Sequence, residues 1–247
     1  MPRPPNRLLK SAPTVSPRCK SSAWSSPSGA GRGGRGGDRR CGAAGPDPSL
    51  VGMSQTIVFD LYGVIARTQT DAARARIEDL AGVSGDPFWS AYWACRPAYD
   101  AGRDSADYWA DVAARLGVRF ADVPALIEAD LDSWTDVDDR MVDLVADLAA
   151  RGRTLGLLSN IITDLVPRFE AKHGDWLAHF TERVYSCEIG VAKPDPRAYE
   201  ICAARLGVRP SDVVFFDDAE RNVLAARGTG MTAEVFTGPD QVASLLL

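Results

Sequence analysis

The residues best suited to chemistry in this chain are oxygen-bearing side chains that follow short apolar runs. "TIVFD" ends in Asp60 and is followed by Tyr62 and Gly63, "TLGLLSN" ends in Ser159 and Asn160, and "VVFFDD" ends in Asp217 and Asp218. Lys193 stands in "GVAKPDP", just before a helix that Asp195 can cap and Pro196 can open. Three carboxylates brought to one rim repel one another, and burial without a cation raises their pKa values. A hard divalent cation relieves that repulsion. An oxygen-only set with neither histidine nor cysteine beside it points to Mg2+ rather than Zn2+. Ser159, the backbone N–H of Asn160 and the Lys193 ammonium are donors of the kind that the remaining oxygens of a phosphate require.

The elements that must position these groups are legible from the same runs. "TIVFD", "TLGLLSN", "RVYS", "VVFFDD" and "TAEVFT" are continuously apolar rather than alternating, as expected of strands covered on both faces. Helical stretches such as "DVDDRMVDLVADLAARG", "DPRAYEICAARLG" and "AERNVLAARG" separate them. The fold class is therefore α/β, a doubly wound, Rossmann-like parallel sheet, whose ligand site lies outside the carboxyl ends of its strands. Between the first two strands lies a long helical stretch, including "TDAARARIEDLAG", "DPFWSAYWACRPAYDAG" and "DSADYWADVAARLG". One helix suffices for a crossover, so the excess is expected to be an inserted all-helical cap over 69–135, with the core domain in 53–68 and 136–247.

Composition divides the 247 residues at Met53. Nine of the 28 Lys/Arg and two of the 33 acids lie in residues 1–52, which leaves 19 basic and 31 acidic side chains for the rest. The first segment is rich in Pro, Gly, Ser and Arg and is expected to be a disordered tail. It admits three readings: an RGG-like RNA-binding segment around "GRGGRGGDRR", an organelle transit peptide, or upstream sequence not translated, with Met53 as the start. The acidic body argues against a nucleic-acid surface and fits an enzyme of small metabolites. The five cysteines, Cys19, Cys41, Cys95, Cys187 and Cys202, form no CxxC and no regular framework; those of the body read as reduced thiols of a cytoplasmic protein. No apolar run approaches the ~18 residues of a membrane span.

Taken together and in order, "FDLYGV", "LLSN", "GVAKPDPRAY" and "VVFFDDAERNVLAAR" stand where the four motifs of the haloacid dehalogenase-like (HAD) hydrolase superfamily belong, and over 56–247 the chain resembles that superfamily, in particular its small phosphatases with a helical cap. The resemblance implies that Asp60 is a nucleophile forming a covalent aspartyl intermediate. It further implies that Ser159 binds the transferring group, that Lys193 neutralises charge on it, and that Asp217 ligates Mg2+ with the Asp60 carboxylate and the Tyr62 main-chain carbonyl. Asp218 would ligate the metal or position a metal-bound water.

The pattern breaks at Tyr62. Phosphatases of the superfamily carry an aspartate there, which handles protons on the leaving group and on water. A phenol of pKa ~10 can donate a proton but is a poor base near neutrality. Tyrosine at this place is similar to the 2-haloacid dehalogenases, whose halide leaving group needs no proton. Those enzymes, however, carry "SSN" in the fourth motif and bind no metal. The expected function is a Mg2+-dependent hydrolase of a small phosphorylated metabolite. A metal-independent dehalogenase and a catalytically weak or silent binding member are the alternatives. Arg96 and Tyr99, three apart on one helical face of the cap and followed by Gly102, resemble caps of small sugar-phosphate phosphatases and are candidate substrate contacts, as are Asn160 and Arg67. Trp89, Trp93 and Trp109 read as packing residues, and His173 and His179 as without a role; the plainer alternatives are that Asp218 is a helix N-cap, Asn222 a surface helix residue and Ser159 a turn former.

Overall fold

The computed structural model describes residues 55–247, so the tail expected over 1–52 lies outside the described residues. Five strands, β1 (Thr56–Phe59), β2 (Leu155–Ser159), β3 (Glu182–Tyr185), β4 (Val213–Asp217) and β5 (Thr232–Val235), form one sheet in the order β3-β2-β1-β4-β5. Every pairing is parallel. The chain moves outward from β1 through β2 to β3 and then crosses back to lay β4 on the other side of β1. The crevice at that reversal is where the ligand site of such a sheet is expected.

Alternation along the strands splits the interior in two. Ile57, Phe59, Leu155, Leu157, Val214 and Phe216 join the larger core. Its helical side comes from α5 (Asp139–Ala150), α6 (Leu165–Leu177) and α10 (Pro239–Leu246). Val58, Leu158, Val213 and Phe215 point the other way, under α8 (Pro196–Arg205) and α9 (Glu220–Gly228). Asp60 and Asp217 follow Val58 and Phe215 by two residues, so they belong to the α8/α9 face. Phe59 pairs with Phe216, and the Asp60 N–H donates to the Phe216 carbonyl at 2.8 Å, which sets Asp60 and Asp217 level at the carboxyl ends of neighbouring strands.

Between β1 and β2, ahead of α5, come α1 (Asp71–Ala81), α2 (Asp86–Asp100), α3 (Ser105–Leu116) and α4 (Val123–Asp132). Their inner faces carry Phe88, Trp89, Tyr92, Tyr108 and Trp109, all buried, and this aromatic cluster is continuous with the core over α5 and α6. Asp104 and Asp122 cap α3 and α4 through their carboxylates, which explains where the two helices begin. The end of α2 lies close to the single turn α7 (Ser186–Ile189): a Cβ at Gly102, whose φ is +98°, would meet the Cys187 carbonyl oxygen at 2.9 Å. Ser105 also donates to Asp164 at the start of α6. Cys95, Cys187 and Cys202 are free thiols.

Candidate active site

Carboxylate oxygens of Asp60, Asp217 and Asp218 lie within 4.8 Å of one another. The Lys193 ammonium sits between the first two, 2.7 Å from Asp60 Oδ1 and 2.7 Å from Asp217 Oδ2, with its side chain 1% exposed. Burial pushes the Asp60 carboxyl up to about 8, against the opposing pull of Lys193. The same burial disfavours the Lys193 charge, but the two carboxylates outweigh it and hold the ammonium above its ordinary pKa. One cation therefore leaves three converging carboxylates short of positive charge, and oxygen-only donors at this spacing fit a hard divalent ion.

The two oxygens of Asp60 differ. Oδ1 accepts from the Leu61 N–H at 2.6 Å and contacts Lys193, whereas none of the described residues donates to Oδ2. Both oxygens of Asp217 are engaged: Oδ1 accepts from the Ala219 N–H and Asn222 Nδ2, each at 2.9 Å, and Oδ2 accepts from Lys193 at 2.7 Å and, at 3.1 Å, from the same Asn222 amide. Asp218 differs again, since it is exposed and no side chain or backbone group outside its own residue donates to it. Its carboxylate lies over Gly63, where φ is +84° and any Cβ would collide with it. Glycine is required there on both counts. Burial and the Asp217 charge raise the Asp218 pKa.

Ser159, at the end of β2, is fully buried, and its hydroxyl has no partner among the described residues. An orphaned buried hydroxyl at a strand end is a group awaiting a ligand oxygen. Asn160 spends its side chain on the neighbouring loop: Nδ2 donates to the Lys193 carbonyl at 2.9 Å and Oδ1 accepts from the Lys193 N–H at 2.8 Å. It thus clamps the backbone that carries the ammonium. Asp195 caps α8 as its position suggested, accepting from the Arg197 N–H.

Tyr62 packs its ring edge-on against Trp134 (5.1 Å) and Phe169 (6.2 Å), and its buried hydroxyl has no partner among the described residues. Burial raises its pKa well above that of an ordinary phenol, so it stays protonated throughout the physiological range.

A cavity of about 610 Å³ opens between α2 and the 190–197 loop, and Asn160 and Lys193 form part of its wall. Arg96 reaches this wall, though it is largely buried: Nε donates to Asp100 at 2.8 Å and Nη1 to the Tyr92 hydroxyl at 2.6 Å. Two expected substrate contacts do not reach it. Tyr99 is 1% exposed, stacked on Tyr108 at 4.1 Å, with its hydroxyl bonded to Ser105. Arg67 is turned away because its Nε donates to the Val137 carbonyl, and it lines a separate groove with Thr70 and Asp138. Of the three tryptophans expected to pack, Trp89 and Trp109 do, whereas Trp93 is 48% exposed and borders the cavity. Asn222 is not the surface helix residue of the plainer alternative: it is buried against Asp217 and held by the Tyr199 hydroxyl, which donates to its carbonyl. His173 is a core residue hydrogen-bonded to the Thr135 carbonyl.

The family model for haloacid dehalogenase-like hydrolases matches residues 55–230. Phosphatase MT3486 of Mycobacterium tuberculosis is 28% identical over 187 residues, which span 72% of this chain and 84% of that protein. (S)-2-haloacid dehalogenase 1 of Pseudomonas sp. is 29% identical over 176 residues, 64% of this chain and 73% of its own. The structure of the HAD family enzyme BT-2542 from Bacteroides thetaiotaomicron superposes with a TM-score of 0.62 at 18% identity, over 74% of this chain and 94% of that one. BT-2542 has also been crystallised with magnesium and inorganic phosphate. Some mammalian relatives are far longer: the chain matches 8% of the length of mouse acyl-CoA dehydrogenase family member 10 and 10% of rat bifunctional epoxide hydrolase 2. A family match over most of the chain, joined to a sheet of the same architecture, establishes that the chain belongs to the haloacid dehalogenase-like hydrolases.

Proposed function

We propose that the protein is a cytoplasmic, Mg2+-dependent hydrolase of a small phosphorylated metabolite, with Asp60 as nucleophile and α1–α4 as a cap beside the entrance. The observation that carries this reading is the meeting of the Asp60, Asp217 and Asp218 carboxylates around a single ammonium. Phosphatase MT3486 and the magnesium and phosphate complex of BT-2542 support it by analogy.

The lone pairs assign the roles. Asp60 Oδ2, left free while Oδ1 is held by Leu61 and Lys193, attacks phosphorus as the P–O bond to the leaving group breaks, and water then hydrolyses the aspartyl phosphate to inorganic phosphate and free Asp60. Asp217 anchors Lys193 and the start of α9, and with Asp60, Asp218 and the Tyr62 carbonyl it would hold Mg2+. The ion's contribution is to neutralise the phosphoryl oxygens and favour the ionised form of Asp60. Lys193 and the Ser159 hydroxyl take up the remaining charge on the transferring group. With Tyr62 protonated and enclosed among aromatic rings, no second carboxylate serves the leaving group, and acyl or aryl phosphates are favoured over alkyl esters.

Two observations stand behind the dehalogenase reading: the tyrosine at position 62 and the Pseudomonas relative. Parallel assays of phosphate release from acetyl phosphate and chloride release from 2-chloropropionate, each with Mg2+ and with chelator, separate the two. Phosphate release that chelator abolishes is the expected result. Chloride release indifferent to chelator would establish the dehalogenase instead.

A further inference from the structure

Four cationic side chains line the cavity, and three are already paired. Arg96 meets Asp100 at 2.8 Å, Arg197 meets Asp195 at 2.7 Å, and Lys193 bridges Asp60 and Asp217. The fourth, Arg221, is exposed and has no carboxylate partner or side-chain hydrogen bond among the described residues. Only 19 of the basic side chains but 31 of the acidic ones fall after residue 52. Acids to pair with are therefore plentiful, yet among the described residues none forms an ion pair with this arginine; Asp218, whose carboxyl its charge pulls down, is near it without contact.

Its place in the chain is fixed by the site itself. Arg221 is the second residue of α9, and the next residue, Asn222, is bonded to both oxygens of Asp217. The guanidinium therefore springs from a rigid point next to the reacting centre. It takes no part in the contacts of Asp60, whose Oδ1 is satisfied by Leu61 and Lys193. A phosphoryl group at Asp60 would be served by Lys193 and Ser159, which leaves Arg221 for another part of the ligand. A planar, always charged fork matches a carboxylate in two parallel hydrogen bonds.

Resting on the phosphohydrolase reading above, we propose that Arg221 is a specificity residue that selects substrates whose leaving group carries a carboxylate. The cavity, about 610 Å³, has room for a small organic leaving group, and Lys193 on its wall joins it to Asp60. The exposed indole of Trp93 and the ring of Pro97 supply an apolar wall for the carbon skeleton joining the two anionic ends.

The test uses binding as well as turnover. (4-Carboxybenzyl)phosphonate and its carboxamide counterpart, neither hydrolysable, are titrated into the full chain with Mg2+ by calorimetry. The wild type is expected to bind the carboxylate roughly tenfold more tightly, an advantage that Arg221→Gln reduces to about one and Arg221→Glu reverses, with higher salt weakening it in the wild type only. Equal affinity of the wild type for both ligands, or a preference that survives in Arg221→Gln, overturns the proposal. Hydrolysis of the neutral 4-carbamoylphenyl phosphate is followed alongside. If that ester is not hydrolysed, the phosphohydrolase reading falls, while the affinity ratio still decides the role of Arg221.

Discussion

Replacing Tyr62 by phenylalanine removes one oxygen, and the structure says what should follow. The hydroxyl is buried without a partner, between the rings of Trp134 and Phe169. Burying such a group unbonded costs ~1–3 kcal/mol, so taking the lower end, Tyr62→Phe should stabilise the protein by about 1 kcal/mol. For a domain of this size that corresponds to a rise in Tm of about 2–4 °C. The ring contacts are kept, and the main-chain carbonyl assigned to the metal is untouched. Turnover of acetyl phosphate should therefore stay within about twofold of wild type, since no proton passes through the phenol. Calorimetric melts and steady-state phosphate release on the same preparations provide both readouts. A folded Tyr62→Phe protein that loses the ~10²–10⁴-fold expected of a missing general acid would refute the assignment. A fall in Tm would show that the hydroxyl has a partner. Tyr62→Asp is the complementary change. It should raise alkyl-phosphate hydrolysis roughly tenfold by restoring a proton donor. Loss of the ring packing should meanwhile cost about 3–5 kcal/mol.

Two other outcomes follow from the same geometry. Asn222→Ala takes from the fully buried Asp217 carboxylate one amide donor shared by both its oxygens, and at ~1.5–3 kcal/mol for a bond to a charged group it should lower stability by about that much, read as a Tm lower by about 3–12 °C. An unchanged Tm would mean that Asn222 does not hold Asp217. In chelator, the raised pKa of Asp60 makes the folded protein retain a proton that the unfolded chain has lost. This contribution is full below the ordinary carboxylate pKa and disappears as pH rises towards about 8, so metal-free melts should decline between pH 5 and 8. Mg2+ should flatten that decline by favouring the ionised carboxylate, and a metal-free stability rising over this range would contradict the placement of Asp60.

The strand ends were the most legible part of this chain. Continuous apolar runs buried on both faces can end only at the rim, and "TIVFD" and "VVFFDD" delivered Asp60 and Asp217 side by side because their strands are neighbours in register. Residues whose role depends on how a loop or helix turns were harder to read. Arg67 leaves β1 near the site, yet the Arg67 N–H donates to the Asp136 carbonyl and draws the side chain to another groove. Arg96 and Tyr99 share a helical face, but that face is the buried one, and only Arg96 is long enough to reach the cavity. The spacing from Asp217 to Asn222 was visible. Its meaning, however, lies in the first turn of α9 folding back over the strand end, which no local periodicity reports.

The central claim is that Asp60 becomes covalently phosphorylated during turnover. Quenching the enzyme with acid milliseconds after mixing with acetyl phosphate and Mg2+, followed by peptide mass mapping, reads this directly. The account predicts a phosphoryl adduct on the peptide containing Asp60, absent in chelator and absent from a folded, inactive Asp60→Asn protein. Undiminished phosphate release by Asp60→Asn, or an adduct on any other residue, would contradict it.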